Sequence, residues 1–240
     1  MAVTAIDDQE FSQFQKLIYQ LAGINLSPAK KALVSGRLAK RLIQYNLDSY
    51  GDYFKLLTAS HNSAELQVAV DLLTTNETYF FREPKHFDFL RTQILDKHKP
   101  GNTFRVWSAA CSTGEEPYSI AMVLADHLGD CQWEVTASDI STRVLGKACT
   151  GHYPMDRIDG ISREHLSRYC MKGVGSQDNT LLVNKTLRSR VNFMQVNLNQ
   201  PLPGLGGFDV IFLRNVMIYF DQETKRQIMQ RILPLLKPGG

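Results

Sequence analysis

The chain has 240 residues, 43% of them hydrophobic and 21% charged, with a net charge of +3. That is core material for one or two globular domains; no apolar run approaches the roughly 18–20 residues of a membrane span, and the weak positive charge does not by itself indicate a nucleic-acid binder. Cys111, Cys131, Cys149 and Cys170 are widely spaced with no Cys-x-x-Cys pair, which argues against zinc and disulfides and leaves a metal-free site as the expectation. The N-terminal stretch MAVTAIDDQE lacks the basic start and apolar core of a signal peptide, which predicts a cytoplasmic protein.

The first 75 or so residues read as helices. EFSQFQKLIYQLAG spaces Phe11, Phe14, Leu17, Ile18 and Leu21 on one helical face, with Gly23 at the stop. SPAKKALVSGRLAKRLIQYN offers Ser27 as N-cap, Pro28 at the first helical position, and Leu33, Leu38, Leu42 and Ile43 for a core. DSYGDYFKLLTAS predicts a short third helix weakened by Gly51. NSAELQVAVDLLTT predicts a fourth, with Asn62 and Glu65 spaced as a capping box. Residues 1–75 are therefore expected to form a small all-helical domain, and NETYFFRE, residues 76–83, leads out of it.

After Pro84 the pattern changes. PKHFDFLRTQILDKH reads as a helix; TFRVWSAA, WEVTASDI, RVNFMQVN and FDVIFLRN read as strands. EEPYSIAMVLADHLG, STRVLGKACTGHY and DQETKRQIMQRILPLL read as helices. This alternation predicts an α/β domain over residues 84–240 with a mostly parallel, Rossmann-like sheet covered on both faces. Ligands of such folds bind beyond the carboxyl ends of the strands. Residues 172–191, KGVGSQDNTLLVNKTLRSRV, break the alternation and are expected as an inserted hairpin or small β-subdomain.

Four strand ends carry polar residues. In VWSAACSTGEEPYSIA the small residues Ala109, Ala110, Cys111, Ser112 and Gly114 stand where strand turns to helix, the place where a nucleotide-like ligand approaches the backbone. The helix opens with Glu115 and Glu116. These would repel a pyrophosphate and suit a cationic ligand such as S-adenosylmethionine; the alternative is that they only complement the helix dipole. VTASDI ends in Asp139, placed to accept from both ribose hydroxyls, or else to cap the next helix. Asn197 follows the third strand, where its amide suits an adenine edge, and Arg214, Asn215 and Tyr219 follow the fourth.

With NETYFFRE, SAACSTGEEPYSIAM, ASDIS, the Gly151–Pro154 turn GHYP and FLRNVMIYFD in view, the sequence resembles the CheR-type chemotaxis receptor methyltransferases from end to end. The resemblance implies a protein-glutamate O-methyltransferase that uses S-adenosylmethionine, leaves S-adenosylhomocysteine, and esterifies glutamates on chemoreceptor methylation helices. It implies a helical N-terminal domain joined to a class I methyltransferase domain bearing a small β-subdomain. Carried over, cofactor contacts fall on Asn76, Thr78, Arg82, Glu116, Asp139, Asn197, Leu198, Arg214 and Asn215, and Arg82 and Tyr219 match positions near the transferred methyl. NETYFFRE would then fold over the cofactor, Phe80 and Phe81 would pack the domain junction, and Tyr79 would serve packing alone. In some receptors the β-subdomain of this family grips a tethering peptide at the receptor terminus, and residues 172–191 match its place.

Lys30, Lys31, Arg37, Lys40 and Arg41 form a basic run without an acidic residue, with Arg37, Lys40 and Arg41 on one helical face. We expect this face to dock glutamate-rich receptor helices rather than nucleic acid; a solvated surface is the plain alternative. The chain stops at LLKPGG, where class I methyltransferases continue into further strands, so FDVIFLRN is expected as an apolar sheet edge. Other readings are a cofactor-binding receptor adaptor without catalysis, or a methyltransferase for another substrate. A dinucleotide oxidoreductase conflicts with Glu115 and Glu116.

Overall fold

The computed structural model describes residues 5–59, 62–98 and 101–240, so the first four residues of MAVTAIDDQE and Ser60 of the third helical stretch lie outside it. The chain divides into two compact units. One contains the residues up to Thr75 together with Asn197–Pro201 and Asn215–Gln230; the other contains Asn76–Val196, Leu202–Arg214 and Arg231–Gly240.

In the first unit, α1 (Asp8–Ala22) opens with a capping box. The Glu10 amide donates to Asp7 Oδ1 at 2.7 Å, and the Asp7 amide to Glu10 Oε2 at 3.0 Å. Gly23 closes α1 at φ 72°, and a Cβ there would lie 2.7 Å from Thr224 Cγ2. The second helical stretch is split: Pro28–Lys30 form a 3₁₀ turn, and α2 (Lys31–Tyr45) begins after it. Its buried stripe is Val34, Leu38 and Leu42, one residue every four, so Ile43 projects outward at 62% exposure instead of joining the core. Next come α3 (Tyr50–Thr58), which Gly51 does not prevent, and α4 (Ser63–Leu73).

The Asn62–Glu65 capping box does not form. Asn62 Nδ2 donates to Leu56 O at 2.9 Å, and Glu65 is 6% exposed. The Glu65 carboxylate takes both Arg41 Nε at 2.8 Å and Arg41 Nη2, with further donors in Tyr45 and Tyr53 hydroxyls. A buried carboxylate gains more from a two-pronged guanidinium than from one backbone amide, and that decides its direction. Burial alone would raise the Glu65 carboxyl; hydrogen bonds from Arg41, Tyr53 and Tyr45 outweigh it and hold the group below the usual glutamate range.

In the second unit, α5 (Lys85–Phe89) runs into a π-type turn (Leu90–Ile94). Then follow β1 (Phe104–Ser108), α6 (Glu115–Leu128), β2 (Trp133–Asp139), α7 (Thr142–Thr150), β3 (His152–Pro154), α8 (Arg163–Tyr169), β4 (Cys170–Lys172), β5 (Thr180–Val183), α9 (Lys185–Arg188), β6 (Val191–Gln195) and β7 (Val210–Phe212); α10 (Gln222–Ile232) belongs to the first unit as far as Gln230. The main sheet has the order β6-β2-β1-β7, all parallel, with Val106 opposite both Val135 and Val210. This is the expected Rossmann-like core, and it puts the carboxyl ends of β1, β2 and β7 side by side.

The inserted sheet is antiparallel, in the order β3-β5-β4. It begins at His152 and ends at Val183, whereas residues 172–191 omit β3 and include the start of β6. Three-residue strands carry too little alternation to be read from sequence. Within the main sheet β7 pairs with β1, and Phe208, just before it, bridges to Leu236 through Phe208 N–Leu235 O at 2.7 Å. No described helix is long and apolar enough to cross a membrane.

Arg41→Ala should leave Glu65 buried and unpaired, costing about 3 kcal/mol in urea unfolding at pH 7. Because the folded Glu65 carboxyl is depressed, its contribution is present above the unfolded value of about 4.3 and is lost as pH falls through the folded one. The gap between Arg41→Ala and the parent chain should therefore close on acidification below about pH 4.

Candidate functional site

The loop between β1 and α6 is fixed by the strand ends around it. The Ala109 amide donates to Phe212 O, and the Cys111 amide to Ser138 O, each at 2.9 Å. Ser112 then takes the left-handed conformation, φ 49°, which places its amide 2.9 Å from Asp139 Oδ2. The Ser112 hydroxyl donates to the Asn76 carbonyl at 2.9 Å. One serine thus ties the acid at the tip of β2 to the start of the connector. Asp139 is 8% exposed and also accepts from the Ser141 amide at 2.9 Å, in the turn that leads to Ser141, the N-cap of α7.

Gly114 precedes α6 at φ 97°, and a Cβ there would lie 2.8 Å from the Tyr153 hydroxyl and 2.9 Å from Ala148 Cβ. Within this unit the glycine is required by close packing against α7 and β3. Glu115 and Glu116 open α6 and point to different partners. Glu115 is 1% exposed and lies 3.2 Å from Arg157 Nη2, with Thr113 Oγ1 donating at 2.6 Å. Glu116 accepts from Ser108 Oγ at 2.7 Å and from Arg214 Nη1 at 2.9 Å. Burial raises the Glu116 carboxyl above the usual glutamate range, and Ser108 and Arg214 offset only part of that rise.

The connector is held mainly by its backbone. Its Asn76, Glu77, Thr78 and Arg82 carbonyls accept from Ser112 Oγ, Arg82 Nη1, Arg157 Nη2 and Arg214 Nη2, and the Phe81 amide donates to Ser119 Oγ at 2.9 Å. Arg82 is flanked by two left-handed residues, Phe81 at φ 54° and Glu83 at φ 57°, a conformation uncommon outside glycine that needs firm anchoring. Phe80 is fully buried with its ring 4.9 Å from Tyr153, and Phe81 stacks on His165 at 5.1 Å. Both aromatics therefore pack into the core of the second unit. Tyr79 is 48% exposed, and its ring lies 5.7 Å from the Arg82 guanidinium carbon, so core packing is not its role.

Asn76, Thr78, Arg82, Gly114, Glu116, Asp139 and Arg214 are thereby brought together at the carboxyl edge of one sheet. Asn197, Leu198, Asn215 and Tyr219 belong to the first unit. There Asn197 Nδ2 donates to Leu21 O at 2.6 Å, and its Oδ1 accepts from the Asn199 amide at 2.9 Å. The last carbonyls of a helix lack intrahelical donors, and this side chain supplies one to α1. The Tyr219 carbonyl accepts from the Asn25 amide at 2.9 Å, and Ile24 bridges to Phe220. Leu198 is buried, and Asn215 is left-handed at φ 57°.

Of the basic run, Lys31 pairs with Asp8 at 2.7 Å and Arg41 pairs with Glu65. Arg37 Nη1 donates to the Leu73 and Thr74 carbonyls at the end of α4. These three are engaged inside the helical unit, while Lys30 and Lys40 are exposed. Sequence reading missed Ser108, Ser119, Tyr153 and Arg157. Ser108, Ser119 and Tyr153 stand inside the family motifs SAACSTGEEPYSIAM and GHYP, which could have flagged them, whereas Arg157 stands outside both and its partner Thr78 is distant in the chain.

Residues 9–74 match the CheR methyltransferase all-alpha domain, and residues 76–240 match the CheR methyltransferase SAM binding domain. The chain is 46% identical over 239 residues to the chemotaxis protein methyltransferase of Salmonella typhimurium, spanning 98% of this chain and 82% of that one. It is 45% identical over 241 residues to that of Escherichia coli, with the same spans. The chemotaxis protein methyltransferase 2 of Pseudomonas aeruginosa is 41% identical over 239 residues, covering 97% of this chain and 83% of that one. Among solved structures, the glycopeptide N-methyltransferase MtfA with sinefungin aligns at a TM-score of 0.40 and 17% identity, over 75% of this chain and 58% of that one. The chain therefore belongs to the CheR methyltransferase family, with residues 76–240 as its S-adenosylmethionine-binding domain.

Proposed function

We propose that this protein transfers a methyl group from S-adenosylmethionine to glutamate side chains of chemoreceptors, giving glutamyl methyl esters. Its relatives in two enteric bacteria, 46% and 45% identical, are chemotaxis protein methyltransferases. Within the structure the reading rests on Ser112, whose amide binds Asp139 and whose hydroxyl binds the connector at Asn76. Strand-tip acid and connector are thus held as one cradle.

The donor set fits an adenosyl cofactor without phosphate. The first turn of α6, where phosphate would otherwise find open amides, carries two buried or largely buried carboxylates, each engaged with an arginine. Asp139 would hold the ribose, Glu116 and Arg214 the amino-acid end, and Asn76, Thr78 and Arg82 would close over the ligand. Gly114 would let the loop backbone approach it. Asn197, Leu198, Asn215 and Tyr219 would take the roles their family motifs imply; the Asn197 amide donates to Leu21 in this structure. The bound cofactor supplies a sulfonium-activated methyl.

A substrate glutamate, with a reference pKa of about 4.3, is already an anionic nucleophile at neutral pH, so no general base is needed. Alignment then supplies most of the rate enhancement, with proximity contributing on the order of 7–11 kcal/mol at best. Arg82, anchored on the Glu77 carbonyl, would orient the incoming carboxylate, and Tyr219 would position the donor. We assign receptor docking to the basic run of α2 and its preceding turn, with Lys30 and Lys40 as its exposed charges and Lys31, Arg37 and Arg41 shaping the face they stand on. The inserted sheet is assigned the tethering peptide of those receptors that carry one.

Asp139→Ala should weaken binding of S-adenosylhomocysteine at least about tenfold by calorimetry, the size of a lost charged hydrogen bond; unchanged affinity would remove the ribose assignment. Incubated with labelled S-adenosylmethionine and a chemoreceptor cytoplasmic fragment, the protein should yield label that base releases as methanol. Cofactor binding without transfer would favour the adaptor, and base-stable label another acceptor. Lys30→Glu with Lys40→Glu should raise the KM for receptor and flatten its salt dependence while sparing cofactor affinity. If receptor kinetics stay the same, docking lies elsewhere.

A further inference from the structure

We propose that Arg157 is a positioning residue for the cofactor, clasping the connector at Thr78 to the buried Glu115 of α6. It closes the short turn Met155–Arg157 that follows β3. Its Nη2 donates to the Thr78 carbonyl at 2.8 Å and lies 3.2 Å from Glu115 Oε1, so a single nitrogen serves both groups. Neutralising Glu115 alone would not require that sharing. The surrounding segment grips the same two elements. Tyr153 donates from its hydroxyl to the Thr113 carbonyl at 2.8 Å and sets its ring against Phe80. A Cβ on Gly160 would sit 1.9 Å from the Phe80 carbonyl oxygen, so only glycine permits that approach. The start of the inserted segment thus touches the connector at Thr78 and Phe80 and the α6 turn at Thr113 and Glu115. The GHYP turn and the residues after it therefore hold in register the backbone from which Thr78 and Arg82 project. The inference rests on the reading that the connector contacts the cofactor.

The test uses Arg157→Ala, Arg157→Lys, Glu115→Gln and the double variant Arg157→Ala with Glu115→Gln. The double variant removes the unpaired buried charge and should recover the thermal stability lost in Arg157→Ala. It should nonetheless keep a KM for S-adenosylmethionine and a Kd for S-adenosylhomocysteine raised about tenfold, the size of one lost charged hydrogen bond, with kcat at saturation changed far less. Arg157→Lys, which can still reach both acceptors with one nitrogen, should restore part of the affinity. Without cofactor, hydrogen exchange of amides 76–83 should be faster in the double variant than in the parent chain. If affinity recovers together with stability in the double variant, Arg157 is only a counter-charge and the proposal fails. If exchange is unchanged, the clasp itself is absent. Faster exchange with unchanged affinity would instead overturn the assignment of the connector to the cofactor.

Discussion

Two neighbouring glutamates in the first turn of a buried helix are expensive to desolvate, and the site end of the second unit is organised around how they are matched. Glu115 is met by Arg157 and Thr113, Glu116 by Arg214 and Ser108. Each arginine has donors to spare, and each spends one on a connector carbonyl, Arg157 on Thr78 and Arg214 on Arg82. In Arg214 the two prongs of the guanidinium divide this duty, while in Arg157 one nitrogen does both. The connector is thus secured through the charges of α6, and the carboxylates that would repel a phosphate ligand also organise the loop that would cover an adenosyl one.

This arrangement explains why NETYFFRE combines short polar residues, aromatics and an arginine. Phe80 and Phe81 anchor it in the core, leaving Tyr79 outside beside Arg82. The left-handed residues on either side of Arg82 are held by that anchoring and by Ser119. Aromatic type in sequence did not reveal which ring is buried. In an irregular segment no periodicity assigns faces, and the division is made by the hollow that Tyr153, His165 and Phe87 form.

The parallel sheet, its strand tips and the residues gathered there were legible because each strand is a compact apolar run followed by a polar stop. The loop 109–114 was legible through its small residues, although the close neighbour of Gly114 proves to be a tyrosine hydroxyl. Long-range polar pairings were not legible. Glu65 read as a local cap and became the buried partner of Arg41, while Arg37 read as a surface charge and became a donor to the end of α4. Asn197 read as an adenine ligand and caps α1. In each case a group with an obvious local use meets a stronger need that only the folded chain presents. The bounds of the inserted sheet failed for another reason: His152–Pro154 is too short to show a period.

The helical unit is built from three separate stretches of chain, and the last two carry Asn197 and Tyr219. The link from the α1–α2 turn to Tyr219 runs through main-chain atoms, Asn25 N to Tyr219 O, and so tolerates drift in side-chain identity at both ends. Anyone wishing to exchange the N-terminal helices between relatives therefore faces a splicing problem. A single crossover near Thr75 would join one parent's helices to the other parent's loops, and a faithful graft has to carry Asn197–Pro201 and Asn215–Gln230 along with the helices.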